Sequence, residues 1–301
     1  MTGPLGRMGI WTFDFDGQPA GRVREAAAEI EELGYGALWY GEAFGRDAVG
    51  QAWLLLGATR RMVVASGIAN IAFREPLAMA TAERTLGEAF PGRYLLGLGG
   101  HRVDESVPEV NGFPIPTRGK ALTTMRRYLD AMDAAPAQGP VPDPAPRRVL
   151  AALGPKMLGL AAERTSGAHP YFVTVEHTAL ARKIMGPDAF LGVEQAVVLD
   201  TDVARAREVA AAHVAGYVAN APHQAANVRR MGFGEEDTEG GPSRRLVDAI
   251  VAYGDVDALH ARVEEHFAAG ADHVCVQVLT GEPGELPLPQ WRELAPALVG
   301  G

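Results

Sequence analysis

Met8-Gly9-Ile10-Trp11-Thr12-Phe13 and Ala37-Leu38-Trp39-Tyr40 flank a segment, Pro19 to Leu33, in which Val23, Ala26, Ala27, Ile30 and Leu33 recur at helical spacing, with Gly34 just beyond. Apolar residues at that spacing line one face of an amphipathic helix, and a glycine past the last of them stops it. The flanking runs are short and rich in β-formers, which makes them strands. The unit is strand, helix, strand.

The same alternation runs outward from it. A helix through Trp53 to Leu56 precedes a strand from Met62 to Ile71, a helix from Pro76 to Ala89 precedes a strand from Tyr94 to Leu98, and a helix from Thr117 to Met132 follows. Strands at Val149 to Leu153, Ala168 to Val173 and Ala189 to Leu199 are succeeded by helices at Lys156 to Arg164, Glu176 to Met185 and Val203 to Val218. A helix from Val256 to Ala269, a last strand from Val274 to Leu279 and a helix around Trp291 to Leu298 complete the pattern. Alternating β and α with apolar strands predicts a parallel sheet buried on both faces. Eight repeats favour closure into a (β/α)8 TIM barrel, with an open doubly wound sheet as the competing architecture.

At 301 residues, one barrel domain spanning 1–301 with insertions is expected. Asp133 to Arg148 carries Pro136, Pro140, Pro142, Pro144 and Pro146 and reads as a stiff, extended surface loop. Residues 102–118 and 220–242 read as irregular insertions near the barrel mouth.

A composition of 47% hydrophobic and 22% charged residues supports a sizeable core. With a net charge of −9 and 28 dispersed Lys and Arg, no concentrated basic face for nucleic acid is expected. The single cysteine, Cys275, excludes an internal disulfide and suits a reducing compartment. Neither a signal-peptide pattern nor a bilayer-spanning apolar run is found, so no membrane association and a cytoplasmic location are expected.

In a (β/α)8 barrel the active site lies at the C-terminal ends of the strands. That rule selects Thr12, Phe13 and Asp14 after the first strand, Glu42 after the second, Asn70 on the third and His101 with Arg102 after the fourth. It adds Gly154-Pro155-Lys156 after the fifth, His169 on the sixth, and Glu194 and Gln195 within the seventh.

Three segments carry a resemblance. Ser66-Gly67-Ile68-Ala69-Asn70-Ile71-Ala72-Phe73-Arg74-Glu75-Pro76 resembles the third-strand segment of F420-dependent members of the luciferase-like superfamily, which implies a cis peptide at Gly67-Ile68 backing a deazaflavin ring. Pro91-Gly92-Arg93-Tyr94-Leu95-Leu96-Gly97-Leu98-Gly99-Gly100-His101 is similar to that family's fourth strand and its glycine-rich exit, where backbone approaches the cofactor. It fails the dinucleotide fingerprint, which needs glycine where Arg102 stands. Ala151-Ala152-Leu153-Gly154-Pro155-Lys156-Met157 resembles the fifth strand-to-helix turn, whose N–H groups, with Lys156, suit a cofactor phosphodiester; a plain helix start with proline is the other reading.

The resemblance implies a barrel oxidoreductase that transfers hydride between F420 and a small organic substrate. Its implied cofactor-binding residues are Gly67, Ile68, Asn70, Gly99, Gly100, Gly154, Pro155, Lys156 and Met157. His101 is the first candidate for general acid or base, since imidazole titrates near neutrality. Glu42 and His169 are the second candidates, with a structural hydrogen-bonding role as the alternative for each. His213, His260 and His266 fall on predicted helices and His273 borders the last strand, and solvated helix faces account for most of them. An FMN-dependent monooxygenase and a catalytically silent flavin-binding relative remain open on the same scaffold. A metal-dependent hydrolase would need a His-x-His that Trp11-Thr12-Phe13-Asp14 lacks, and no metal site is expected. Glu42-Ala43 and Arg102 depart from the superfamily's sugar-phosphate dehydrogenase, which argues against glucose-6-phosphate as substrate. Relatives commonly pair, so a homodimer is expected.

Overall fold

The computed structural model describes residues 5–43, 45–100, 120–282 and 284–300, together with the backbone of 109–110 and 113–114. Eight strands pair in parallel around a closed barrel: β1 (Met8–Thr12), β2 (Ala37–Tyr40), β3 (Val63–Ser66, resumed at Ala69–Asn70), β4 (Tyr94–Gly99), β5 (Arg147–Leu150), β6 (Gly167–Ala168), β7 (Phe190–Leu199) and β8 (His273–Val278). Closure is made by β8 against β1, with Met8 opposite Val274.

Helices α1 (Ala20–Glu32), α2 (Ala48–Ala58), α3 (Pro76–Ala89), α4 (Ala121–Asp133), α5 (Pro155–Arg164), α6 (Val175–Met185), α10 (Val256–Ala268) and α11 (Leu288–Val299) are those the periodicity predicts, displaced at their ends by a few residues at most. Between α6 and α10 stand α7 (Val203–Asn220), which the periodicity also predicts, and α8 (Pro222–Arg230) and α9 (Arg244–Ile250), which it does not.

The period-two alternation of each strand divides the core. Ile10, Leu38, Val64, Leu96 and Leu150 face outward into the large cluster shared with the helices. Trp11, Trp39, Ala65, Leu95, Val149 and Cys275 face inward and fill the barrel, with Phe13 and Tyr171 packed on them. No helix among the described residues is long and apolar enough to cross a membrane.

Four expectations need correction. The stretch 220–242 is not irregular throughout: α8 occupies Pro222–Arg230 and a short 3-10 turn Glu235–Asp237. The helix escapes notice because Gln224 and Asn227, as well as Val228, are what it buries. A further strand, Val251–Gly254, pairs with the end of β7, from Ala196 to Leu199, where β7 splays away from the barrel. The run Met62 to Ile71 is broken at Gly67-Ile68, which are joined by the cis peptide bond that the resemblance implies. The sixth strand stops at Ala168 rather than Val173, and Phe172 lies in the left-handed region at φ 60°. Asp143-Pro144 in the proline-rich loop is also cis.

Candidate functional site

The inward positions nearest the C-terminal face form the floor of the site. On the side of β2, β3 and β4 they are Gly41, Gly67, Gly97 and Gly99. A Cβ on Gly67 would stand 2.6 Å from Trp11 Nε1 and 2.9 Å from His169 Nε2, and one on Gly99 would stand 2.6 Å from the Ile68 side chain and 3.0 Å from Ala151 Cβ. The same construction at Gly41 meets the Phe13 ring. Glycine therefore lets Trp11, Phe13, Ile68 and His169 lie down against backbone. The outcome is a shallow, apolar shelf on which Gly67, Ile68, Ala151 and Leu153 are half-buried while Val63–Ser66 and Ala69–Asn70 are buried.

Glu42 holds this shelf from behind. Its own N–H donates to Ile68 O at 3.2 Å, and its carboxylate accepts from the N–H of Asn70 and of Ala48, both at 2.8 Å. Arg74 closes the arrangement, donating from Nη1 to Glu42 Oε2 at 2.7 Å and from Nη2 to Glu42 Oε1 and to Asp47. The carboxylate accepts four hydrogen bonds, which uses its lone pairs. Glu42, a candidate for proton transfer with a structural hydrogen-bonding role as the alternative, is thus tied to the segment immediately after the Gly67-Ile68 peptide, through Ile68 O and the Asn70 N–H. Asn70 lies behind the shelf, with Oδ1 taking the Ala72 N–H at 3.0 Å. Gly100 is exposed at the β4 exit.

His169 is buried under Gly67 and stacks on Trp39 with ring centroids 4.2 Å apart. Its Nδ1 donates to Gly192 O at 2.9 Å, which leaves Nε2 as an acceptor without a partner, and Trp11 Nε1 is likewise a donor without one. Burial pushes the His169 pKa down to about 4, so the ring is neutral at physiological pH.

On the opposite side, β6, β7 and β8 present Tyr171, Glu194 and Gln277. The Tyr171 hydroxyl donates to Gln277 Oε1 at 2.7 Å and lies 2.7 Å from the hydroxyl of Tyr217 on α7. Glu194 is fully buried; Oε2 accepts the Phe172 N–H at 2.9 Å and Oε1 has no partner. Burial raises its pKa to about 8, opposed by the Phe172 N–H. The sequence reading lists Glu194 but gives it no role, and Tyr171 and Tyr217 go unnoticed. The signal available for Glu194 was an ionisable residue at an inward position of an otherwise apolar strand.

The fifth strand leads to Gly154, the N-cap of α5, with Pro155 as the first helical residue and no side-chain cap. Pro155 has no N–H and the Met157 N–H donates to Gly154 O at 3.0 Å, so the Lys156 N–H and the positive end of the helix dipole are what this start presents. Pro155 and Lys156 are exposed, Met157 is half-buried, and Arg230 of α8 approaches to 3.9 Å from the position of a Gly154 Cβ. This basic neighbour comes from the segment read as irregular.

His101 and Arg102 lie outside the described residues. The remaining histidines are not mainly on solvated faces: His266 is buried between Thr178 and Gln195, each 2.8 Å from a ring nitrogen, and His273 accepts from Trp39 Nε1 at 3.0 Å. Burial pushes His273 and His213 down to about 4 and His266 to about 3. Between these values and the ordinary 6.5 the unfolded chain binds more protons than the folded one, so stability rises with pH across that window and falls on acidification. The melting temperature is expected to drop steeply between pH 6.5 and pH 4, and a flat profile there would contradict neutral buried imidazoles.

A separate cleft of about 780 Å³ opens where β7 diverges, lined by Asp200, Arg205, Asp255, Asp257, Thr280 and Glu293 among others, and it contains none of the predicted site residues. Among the described residues no three His, Cys, Asp or Glu side chains are grouped to hold a metal ion.

A family model described as luciferase-like monooxygenase matches residues 7–273. A Mycobacterium tuberculosis protein, named provisionally as a coenzyme F420-dependent oxidoreductase, is 28% identical over 166 residues, 54% of this chain. The match spans 45% of that protein's length. Among solved structures, the coenzyme F420-dependent tetrahydromethanopterin reductase of Methanopyrus kandleri superposes with a TM-score of 0.73 at 18% identity, covering 98% of each chain. An F420-dependent secondary alcohol dehydrogenase bound to an F420-acetone adduct gives 0.72 at 15% identity, again over 98% of each chain. The FMN-bound oxygenating constituent of the 3,6-diketocamphane monooxygenase of Pseudomonas putida gives 0.70 at 14% identity, covering 98% of this chain and 97% of that one. At such identities the structural likeness establishes the fold.

Proposed function

We propose, from the premise that the chain belongs to the luciferase-like monooxygenase family, that it is an oxidoreductase using the deazaflavin F420 to exchange a hydride with a small organic substrate. The observation that carries this reading is the apolar shelf on which Gly67, Ile68, Ala151 and Leu153 are half-buried, with Gly99 beneath Ile68, at the end of the strands where barrel enzymes bind their ligands. A planar ring fits such a surface. F420, when bound, supplies two-electron hydride chemistry.

The chain's own residues would bind and orient. The uncapped start of α5, with Lys156 and Arg230 beside it, suits an anionic tail, and two cations favour the longer, more acidic tail of F420 over the single phosphate of FMN. His169, neutral and buried against Trp39 under Gly67, would support the floor of the shelf. The Tyr171 and Tyr217 hydroxyls would orient a polar group of the substrate at the opposite wall.

Titration of the purified protein with F420 and separately with FMN, followed by fluorescence quenching, tests the reading. Tighter binding of F420 is expected. Preference for FMN would replace it with an oxygen-using monooxygenase, and binding of neither would overturn it. Arg230→Ala is expected to weaken F420 binding about tenfold, since a hydrogen bond to a charged group contributes about 1.5–3 kcal/mol, and to flatten its salt dependence. Equal affinity of the variant and the parent would remove Arg230 from the tail site.

A further inference from the structure

Phe172 is the one described non-glycine residue at positive φ, 60°, and it sits at the barrel mouth directly after Tyr171. A side chain other than glycine, asparagine or aspartate in that conformation is strained and persists only where its surroundings hold it. Here the hold is visible: the Phe172 N–H donates to Glu194 Oε2 at 2.9 Å, and the Phe172 ring stacks on Tyr217 with centroids 4.9 Å apart. Tyr171, fixed by the same turn, packs its ring 4.9 Å from that of Trp11, whose Nε1 abuts Gly67 on the shelf. A continuous set of contacts therefore runs from Glu194 through the turn to the floor of the site.

We propose that Glu194 is a positioning residue for the barrel mouth: it tethers the left-handed turn at Tyr171-Phe172 and thereby aims the Tyr171 phenol and the Trp11 ring at the shelf. Only one carboxyl oxygen is engaged: Oε2 takes the backbone N–H while Oε1 stays unpartnered inside the barrel. The groups facing it are themselves uncharged at neutral pH: Tyr171 from the β6 exit, Tyr217 from α7 and Cys275 from β8, with His213 of α7 behind Phe172. None of them is a cation able to balance a carboxylate.

Oε2 accepts the N–H in either protonation state, but ionisation places an unbalanced charge in the barrel, so the stability of the arrangement depends on pH. Glu194 is raised from 4.5 to about 8 in the folded chain, so the folded state holds a proton that the unfolded state has released. The sign follows: between 4.5 and about 8 the folded chain binds more protons, and Glu194's contribution to stability is lost as pH rises through that window. This runs opposite to the buried histidines, which destabilise on acidification.

Three readouts on the whole chain test the proposal: hydrogen exchange of the Phe172 amide, the melting temperature of the apoprotein from pH 6 to pH 9, and affinity for F420. Glu194→Ala is expected to accelerate Phe172 exchange and weaken F420 binding by about tenfold, a modest loss beside what a misplacement of about 1 Å can cost. Glu194→Gln, whose amide oxygen still accepts the N–H, is expected to restore both and to abolish the alkaline fall of melting temperature that Glu194 causes. Unchanged Phe172 exchange in Glu194→Ala, or failure of Glu194→Gln to restore slow exchange, would overturn the tether. Faster exchange with F420 affinity intact would overturn its connection to the site. Should Glu194→Ala not fold, Glu194→Asp, whose shorter side chain withdraws the acceptor from the Phe172 N–H, is expected to show the faster exchange, and unchanged exchange there would overturn the tether. The proposal rests on the F420 reading only for the affinity measurement. Failure of F420 to bind the parent would sink that reading while the exchange and melting results still judged the turn.

Discussion

Glu42→Ala is expected to lower stability by about 3–5 kcal/mol, the range for breaking a buried ion pair by removing one partner. The variant leaves the Arg74 guanidinium, whose side chain is 14% exposed, with Asp47 as its remaining acid, and it orphans the N–H groups of Ala48 and Asn70. In a chain of this size that corresponds to a fall in melting temperature of about 10 °C, using about 2–4 °C per kcal/mol. Because the Asn70 N–H, two residues after Ile68, loses its acceptor, cofactor affinity is expected to fall with it. Glu42→Gln separates the clamp from the proton relay. An amide cannot accept a bidentate guanidinium, so a clamp predicts a large loss of melting temperature. A relay predicts nearly parental melting with lost turnover, and that result would restore Glu42 to a chemical role.

Gly67→Ala is expected to be the most damaging of the glycine replacements. The added methyl would meet Trp11 Nε1 at 2.6 Å and His169 Nε2 at 2.9 Å, and both belong to buried rings locked by Trp39, Tyr171 and Gly192. Neither can yield as a flexible side chain would. Overpacking of this kind costs about 1–3 kcal/mol, and relief by lifting the Gly67-Ile68 backbone would deform the shelf itself. Calorimetry together with F420 titration should show both losses. Gly159→Ala on α5 is the control, since no atom lies within 4 Å of its added methyl and alanine favours the helix by about 0.5–1 kcal/mol. A Gly67→Ala variant with parental melting and affinity would show that the floor is not as tightly packed as the distances say.

Much of the architecture was legible because its determinants are local. Apolar spacing of 3.6 in Val23, Ala26, Ala27 and Ile30 reports the face a helix buries, and short unbroken apolar runs such as Ala37 to Tyr40 report a strand buried on both faces; both signals depend on near neighbours in the chain. The cis bond at Gly67-Ile68 was reached through family resemblance, and periodicity alone reads that run as one continuous strand. Helix α8 was missed for the converse reason, since Gln224 and Asn227 bury polar groups and erase the apolar period.

Within the site, the sequence determined which residues stand at strand ends: Glu42, Gly67, Asn70, Gly99, Gly154, Lys156 and His169 are all placed on the C-terminal face, and Glu194 and Tyr171 line the interior beside them. Only the tertiary structure decided what each one touches. It delivered Arg74 to Glu42, brought Arg230 to Gly154 across the molecule, and set Glu194 against Phe172. The physical reason is that a side chain's position along the strand follows from local periodicity, whereas its partner, its burial and hence its protonation are set by groups distant in sequence that meet only when the barrel closes.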